Sequence, residues 1–189
     1  MVSLDSMLPL VEDGQMNMPS GDGMPGVRRY YGKYRGVVTN PVDIEKRGRV
    51  QVTVPDVYGP NISSWARPCL PWGGIAMGAY SVPLVGANVW VEFEQGLADY
   101  PIVVGYWWGS ALDTPTTAKT SPPGPVFAIE SALQNGVVVS DVPLPPFLPT
   151  GGVLLKAGTN YIAVDKTGVR VIAAPVGLSV NINALQVLP

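Results

Sequence analysis

Short alternations of apolar and polar residues dominate the chain. In "GRVQVTVPDV", Val50, Val52 and Val54 fall on one side and Gln51 and Thr53 on the other, which predicts a half-buried strand. "ANVWVEFEQG" repeats the pattern, with Val89, Val91 and Phe93 opposite Trp90, Glu92 and Glu94. "KYRGVVTN" alternates loosely and stops at the turn signal Asn40-Pro41. "DYPIVVGYWWG" predicts a further strand, with Pro101 tolerated at its start. About five short strands between Tyr30 and Ser110, separated by glycine turns such as the one at Gly86, predict a small closed or partly closed barrel of OB-fold type.

Outside this stretch the pattern changes. Residues 1–29 are rich in Met, Gly and Asp and are expected to form a flexible arm, either ordered on a partner or a plain tail. Residues 111–150 read as a Pro-rich linker, within which Asn135-Gly136 between two apolar runs signals a hairpin. Residues 151–189 show Gly158, Gly168 and Gly177 at near-regular steps, and Leu178, Val180 and Ile182 alternate with Ser179, Asn181 and Asn183. So few short strands cannot bury a face alone. Two solutions stay open: association of several copies into a rod, or a small sheet folded back on the barrel.

Composition narrows the chemistry. The 189 residues are 47% apolar and 14% charged, with 22 Gly and 20 Pro, which suits an all-β chain with tight turns. A net charge of −2 argues against a nucleic-acid binder. The absence of histidine excludes imidazole metal sites and histidine acid–base catalysis, and a single cysteine excludes an internal disulfide or a cysteine-based zinc site. No cofactor or metal is expected. No run of 18 apolar residues occurs, and the N-terminus lacks the basic and apolar regions of a secretory signal.

The candidate chemistry centres on "SSWARPCLPWGG". Trp65 and Arg67 are of the types that bind a sugar or a polyanion by stacking and charge. The acidic balance favours the other use: Trp65 and Trp72 packed over the barrel, with Arg67 paired to Glu92 or Glu94. Gly73 and Gly74 are expected at turn positions with unusual dihedrals, and Cys69, with no activating base, as a buried inert thiol. Glu92, Glu94 and Asp99 are the densest acidic group, expected to be solvated or paired across strands. Tyr106, Trp107 and Trp108 are expected as core and subunit-interface anchors rather than a ligand box. The apolar "INALQVLP" nominates Ile182, Leu185, Val187 and Leu188 for contact with a tip partner or for filling an axis between copies.

Four segments, "GRVQVTVP", "WARPCLPWGG", "PLVGANVWVEFEQGL" and "YPIVVGYWWG", occur in order within residues 34–109. Together they resemble the OB-fold domain of central-spike proteins of contractile injection machines, of the phage baseplate assembly protein V and VgrG types. The resemblance implies an OB barrel followed by a trimeric C-terminal β-helix or β-prism. It implies a non-enzymatic homotrimeric spike of a contractile phage tail or related particle, made without a signal peptide and built into the baseplate. Its implied partners are two further copies of itself, a separate trimeric hub protein, a PAAR-type tip protein and the target cell envelope. Trp65, Arg67, Gly73, Gly86, Glu94, Trp107 and Trp108 become structural and assembly residues under it. Departures are plain: the gap after the barrel, with Glu130 as its one glutamate, is too short for a fused lysozyme. The arm is too short for a fused hub, and without histidine there is no His-X-His iron tip. A single-stranded nucleic-acid-binding OB-fold and a spike-associated envelope-degrading enzyme are the competing classes.

Overall fold

The computed structural model describes residues 28–120 and 123–173, which fall into two compact units divided after Trp107. The first unit contains β1 (Tyr34–Asn40), β2 (Gln51–Thr53), a short helix α1 (Pro55–Tyr58), β3 (Arg67–Pro68), β4 (Gly73–Gly74), β5 (Met77–Gly78), β6 (Asn88–Phe93) and β7 (Pro101–Tyr106). Five of these strands form one curled sheet in the order β2-β1-β6-β7-β3, antiparallel except for the parallel β3–β7 pair.

The curl closes through the stretch around Trp65. On one side, Val50 N donates to Ala66 O at 3.1 Å, Ala66 N to Val50 O at 2.8 Å, and Ser63 N to Val52 O at 2.9 Å. On the other, Arg67 and Pro68 pair with Ile102 and Val103, and Cys69 N donates to Val103 O at 2.8 Å. One segment therefore bridges the two ends of the sheet and removes exposed edges from the barrel.

The barrel interior holds Val38, Val50, Val52, Val54, Ala66, Val89, Val91, Phe93 and Val103. These are the apolar positions of the alternations, so the period-2 pattern alone fixes which face points inward. Gly36 lies on β1 where a Cβ would press on Val89, Val91 and Thr53 O, so a side chain there would crowd the packed strands. Tyr34 and Tyr58 meet the Phe93 ring edge-on and Tyr30 meets it at a tilt, with centroids 5.5 to 5.9 Å away. The Tyr58 hydroxyl donates to Ala98 O at 2.5 Å, and burial, helped by Asp99, pushes its pKa up to about 12.

The second unit is an antiparallel meander of β8 (Val126–Glu130), β9 (Gly136–Ser140), β10 (Gly152–Ala157), β11 (Asn160–Asp165) and β12 (Gly168–Ile172), preceded by α2 (Thr116–Thr120). The stretch 111–150, expected as a linker with a hairpin at Asn135-Gly136, supplies α2 and that hairpin, β8 and β9 joined by the turn at Ser131–Asn135, as two strands of this sheet. The apolar runs "VFAIE" and "GVVVS" are sheet strands because β10 is there to pair with β9. All five strands hydrogen-bond to one another within the chain.

One face of the sheet is covered by its own chain. Val138, Leu154 and Ala163 are fully buried with Leu144 and Leu148 of the β9–β10 connection. That connection is tied back on itself, with Leu144 N donating to Leu148 O at 2.7 Å and Leu148 N to Leu144 O at 2.8 Å. Arg170 pins the far side: Nη2 donates to Phe147 O at 2.6 Å and to the buried Asp165 Oδ2 at 2.7 Å.

Candidate assembly surface

Among the described residues, the face of the second unit opposite Leu144 and Leu148 is the most distinctive surface. Registers place Phe127 opposite Val139, Val139 opposite Val153, Val153 opposite Val164 and Val164 opposite Val169. A second row runs Ile129, Val137, Leu155, Ile162 and Val171. Ten apolar side chains thus form two unbroken rows across five strands, each between 38% and 67% exposed. Together they present on the order of 900 Å² of apolar surface, comparable to the ~800 Å² that each partner contributes to a standard protein interface. A lone soluble chain rarely shows a patch of that size.

The residues singled out from the sequence are distributed differently. Trp65 is half-buried under the Arg49 guanidinium, 5.6 Å from its ring centroid. Arg49 is itself held by Asp43 (2.7 Å from Nη2, 3.1 Å from Nε) and by Glu45 at 2.9 Å. Trp65 therefore offers no free stacking face to a ligand on that side. Arg67 lies 3.5 Å from Glu94, both well exposed, so the pair contributes little to stability. Glu92 on β6 bonds Lys33 at 2.6 Å, whereas Glu94 stands in the turn after β6 and does not share its strand face. A cleft of about 220 Å³ next to Arg67, Glu94, Gln95, Leu97 and Tyr100 is smaller than the ~300–1,000 Å³ of small-molecule sites.

Trp107 packs against other residues of its unit: the Arg35 guanidinium is 5.0 Å from its ring and the Trp90 ring, at a tilt, is 6.0 Å away. Its indole N–H is buried without a hydrogen-bond partner among the described residues. Trp108 is exposed. Gly86 adopts φ +86° and donates to Val38 O at 2.8 Å, so it turns the chain into β6 where a side-chain-bearing residue would be strained.

Three expectations are corrected. Gly73 and Gly74 form β4 with ordinary φ, and the left-handed positions of that hairpin are Ala76 (φ 58°) and Gly78. Trp72 stands in solvent, 60% exposed, because its hairpin projects from the barrel instead of lying on it. Cys69 is exposed, since its backbone pairs with β7 while the inward position of this segment belongs to Ala66. Ile182, Leu185, Val187 and Leu188 lie outside the described residues.

The ten-residue face was missed in the sequence, although a signal was there. "VVV" at 137–139 and "VLL" at 153–155 put apolar residues on both faces of their strands, the mark of a sheet buried on both sides.

Nothing in the described residues suggests a metal centre: no group of three or more His, Cys, Asp or Glu is clustered there. No helix among them is long and apolar enough to cross a membrane.

Comparison with known proteins agrees with the barrel. Residues 34–108 match the family described as the type VI secretion system/phage-baseplate injector OB domain. The type VI secretion system spike protein VgrG5 of Pseudomonas aeruginosa is similar to the chain, 32% identical over 116 residues. That match covers 57% of this chain and 15% of the relative, so the chain spans a small part of VgrG5's length. The barrel at residues 34–108 is thus similar to the OB domains of phage-baseplate and type VI secretion spikes.

Proposed function

We propose that the protein is the non-enzymatic central spike of a contractile phage tail or related injection system, working as a homotrimer. The observation that carries this reading is the two-row apolar face of the second unit. Three copies turning this face toward a common axis would bury it in a closed prism, with each sheet packed against the other two. The polar and charged positions, such as Lys156, Asp165 and Arg170, alternate onto the opposite side.

The mechanism is mechanical. Sheath contraction drives a tube, and the spike ahead of it bears the load. A closed barrel and a prism of packed sheets resist shear, because many hydrogen bonds must break together before the shape fails. Catalysis is not needed for this task, and the chain has no histidine to supply acid–base chemistry. A separate hub above, a PAAR-type tip protein below and the target envelope complete the assembly under this reading.

Leu155→Asp tests the proposal in the intact chain. A carboxylate in the middle of the second row would abolish the trimer in light scattering while the circular dichroism of the sheet persists. A variant that remains as trimeric as the parent would contradict it.

A further inference from the structure

The barrel carries a second apolar surface that none of the preceding roles uses. Between β3 and β6 the chain runs from Pro68 to Val91 without an Asp, Glu, Lys or Arg. Within it Leu70, Trp72, Ile75, Met77, Tyr80, Val82, Leu84 and Val85 are all exposed, and Ile75 completely so, at 100%. These eight side chains present on the order of 1,000 Å², above the ~300–600 Å² of the largest patch on a typical monomer.

The loop is built rather than slack. Gly73 pairs with Gly78 and Gly74 with Met77, and Ala79 N donates to Trp72 O at 3.2 Å. Tyr80 lies against Gly48, where its ring would be 3.3 Å from a Cβ at that position. At the other end, Gly86 N is tied to Val38 O. The tip residues are Ile75 and Ala76, and Ala76 takes φ 58°, a conformation that costs an L-residue roughly 1–2 kcal/mol. An ordered, strained turn that holds an isoleucine wholly in water has the form of a knob awaiting a pocket. Because the hairpin is already ordered, docking it costs little conformational entropy.

We propose that this loop docks onto the barrel of a neighbouring copy of the same chain, forming a second ring of contacts in the trimer. The proposal rests on the trimeric reading above and deepens it. Two observations select another copy as the occupant. First, the loop is neutral throughout, so its complement must be neutral and apolar. The loop's own surface is of that kind, whereas the β1–β2 connection carries Asp43, Glu45, Lys46, Arg47 and Arg49. Second, β3 and β7 are parallel, so the loop after β3 and the chain leaving β7 depart in the same direction along the barrel. Nineteen residues, 107–125, then lead to β8. Association of the C-terminal sheets through a connection of that length raises the local concentration of the three loops to roughly the millimolar range. A heterologous contact repeated around a three-fold axis closes on itself and leaves no loop unmatched.

The test is photo-crosslinking of the full-length protein with benzoylphenylalanine in place of Ile75, read by mass spectrometry, beside light scattering of the same sample. The expected result is a trimer by scattering and crosslinks from position 75 to residues 34–108 of a second copy. Crosslinks confined to one chain, or none, in a sample that is trimeric would overturn this inference and leave the trimer standing. A monomer by scattering would instead remove the reading on which it rests, and the inference with it. Ile75→Asp gives the energetic counterpart: the trimer dissociates at a protein concentration at least about tenfold higher than the parent if the contact exists. An unchanged concentration dependence counts against it.

Discussion

Val50 and Ala66 each donate a backbone N–H to the other's carbonyl, and this one reciprocal pair joins β2 to the stretch that leads into β3. The same stretch pairs with β7 immediately afterwards. The most unusual run of the sequence, with its two tryptophans, arginine and cysteine, is therefore the closing segment of a barrel.

Ala66 is fully buried at that closure, which makes its size consequential. Ala66→Leu is expected to destabilise the barrel by about 1–3 kcal/mol through overpacking. Urea unfolding followed by tryptophan fluorescence measures it. A stability unchanged within about 0.5 kcal/mol would mean that the closing segment is not packed as described.

Glycines of the meander separate close approach from simple turn geometry. At Gly152, φ is +138° and a Cβ would run into Val164 O on the neighbouring strand. At Gly158, φ is +60° with open space around it. Gly158→Ala should cost about 1–2 kcal/mol, the ordinary penalty of a left-handed L-residue. Gly152→Ala adds a backbone collision and should cost on the order of 3 kcal/mol or more. Thermal unfolding of the two variants gives the order, and equal losses would contradict the assigned register.

Acid stability should have a carboxylate signature in each unit. Asp165 is drawn down to about 2, first by the Thr167 hydroxyl and also by the Thr167 backbone and Arg170. Asp43 is held lower still, mainly by the Arg49 guanidinium. A carboxylate whose folded pKa lies below its unfolded value stabilises the fold above the unfolded value and loses that contribution as pH falls toward the folded one. For Asp165 the window runs from about 4 down to about 2. Asp43→Asn and Asp165→Asn should each flatten the acid limb of stability against pH in their own unit. A limb as steep as the parent's in both variants would rule out these two groups as its source.

The barrel was legible because its burial follows strict alternation. Val50, Val52 and Val54, and then Val89, Val91 and Phe93, leave no choice of face, and all six are in the core. Trp72 and Cys69 were misjudged for a physical reason. Aromatic and thiol side chains are buried on average, but here a hairpin with no sheet beneath it carries Trp72 outward. The second unit was harder to see because its strands begin inside a proline-rich stretch. Pro143, Pro145 and Pro146 suggest a connector, yet the connection they form is the lid that buries Leu144 and Leu148. The ten-residue apolar face was hidden because a one-chain reading of "VVV" and "VLL" supplies no second layer to cover their outer residues.

Trimerisation through that face is the central claim, and sedimentation equilibrium of the intact chain tests it most directly. The account predicts a single species of three times 20.0 kDa, lost in favour of the monomer when Val153 and Leu155 are both changed to Asp. A parent protein that sediments as a stable 20.0 kDa monomer at micromolar concentration, with the ten-residue face left in water, would contradict it.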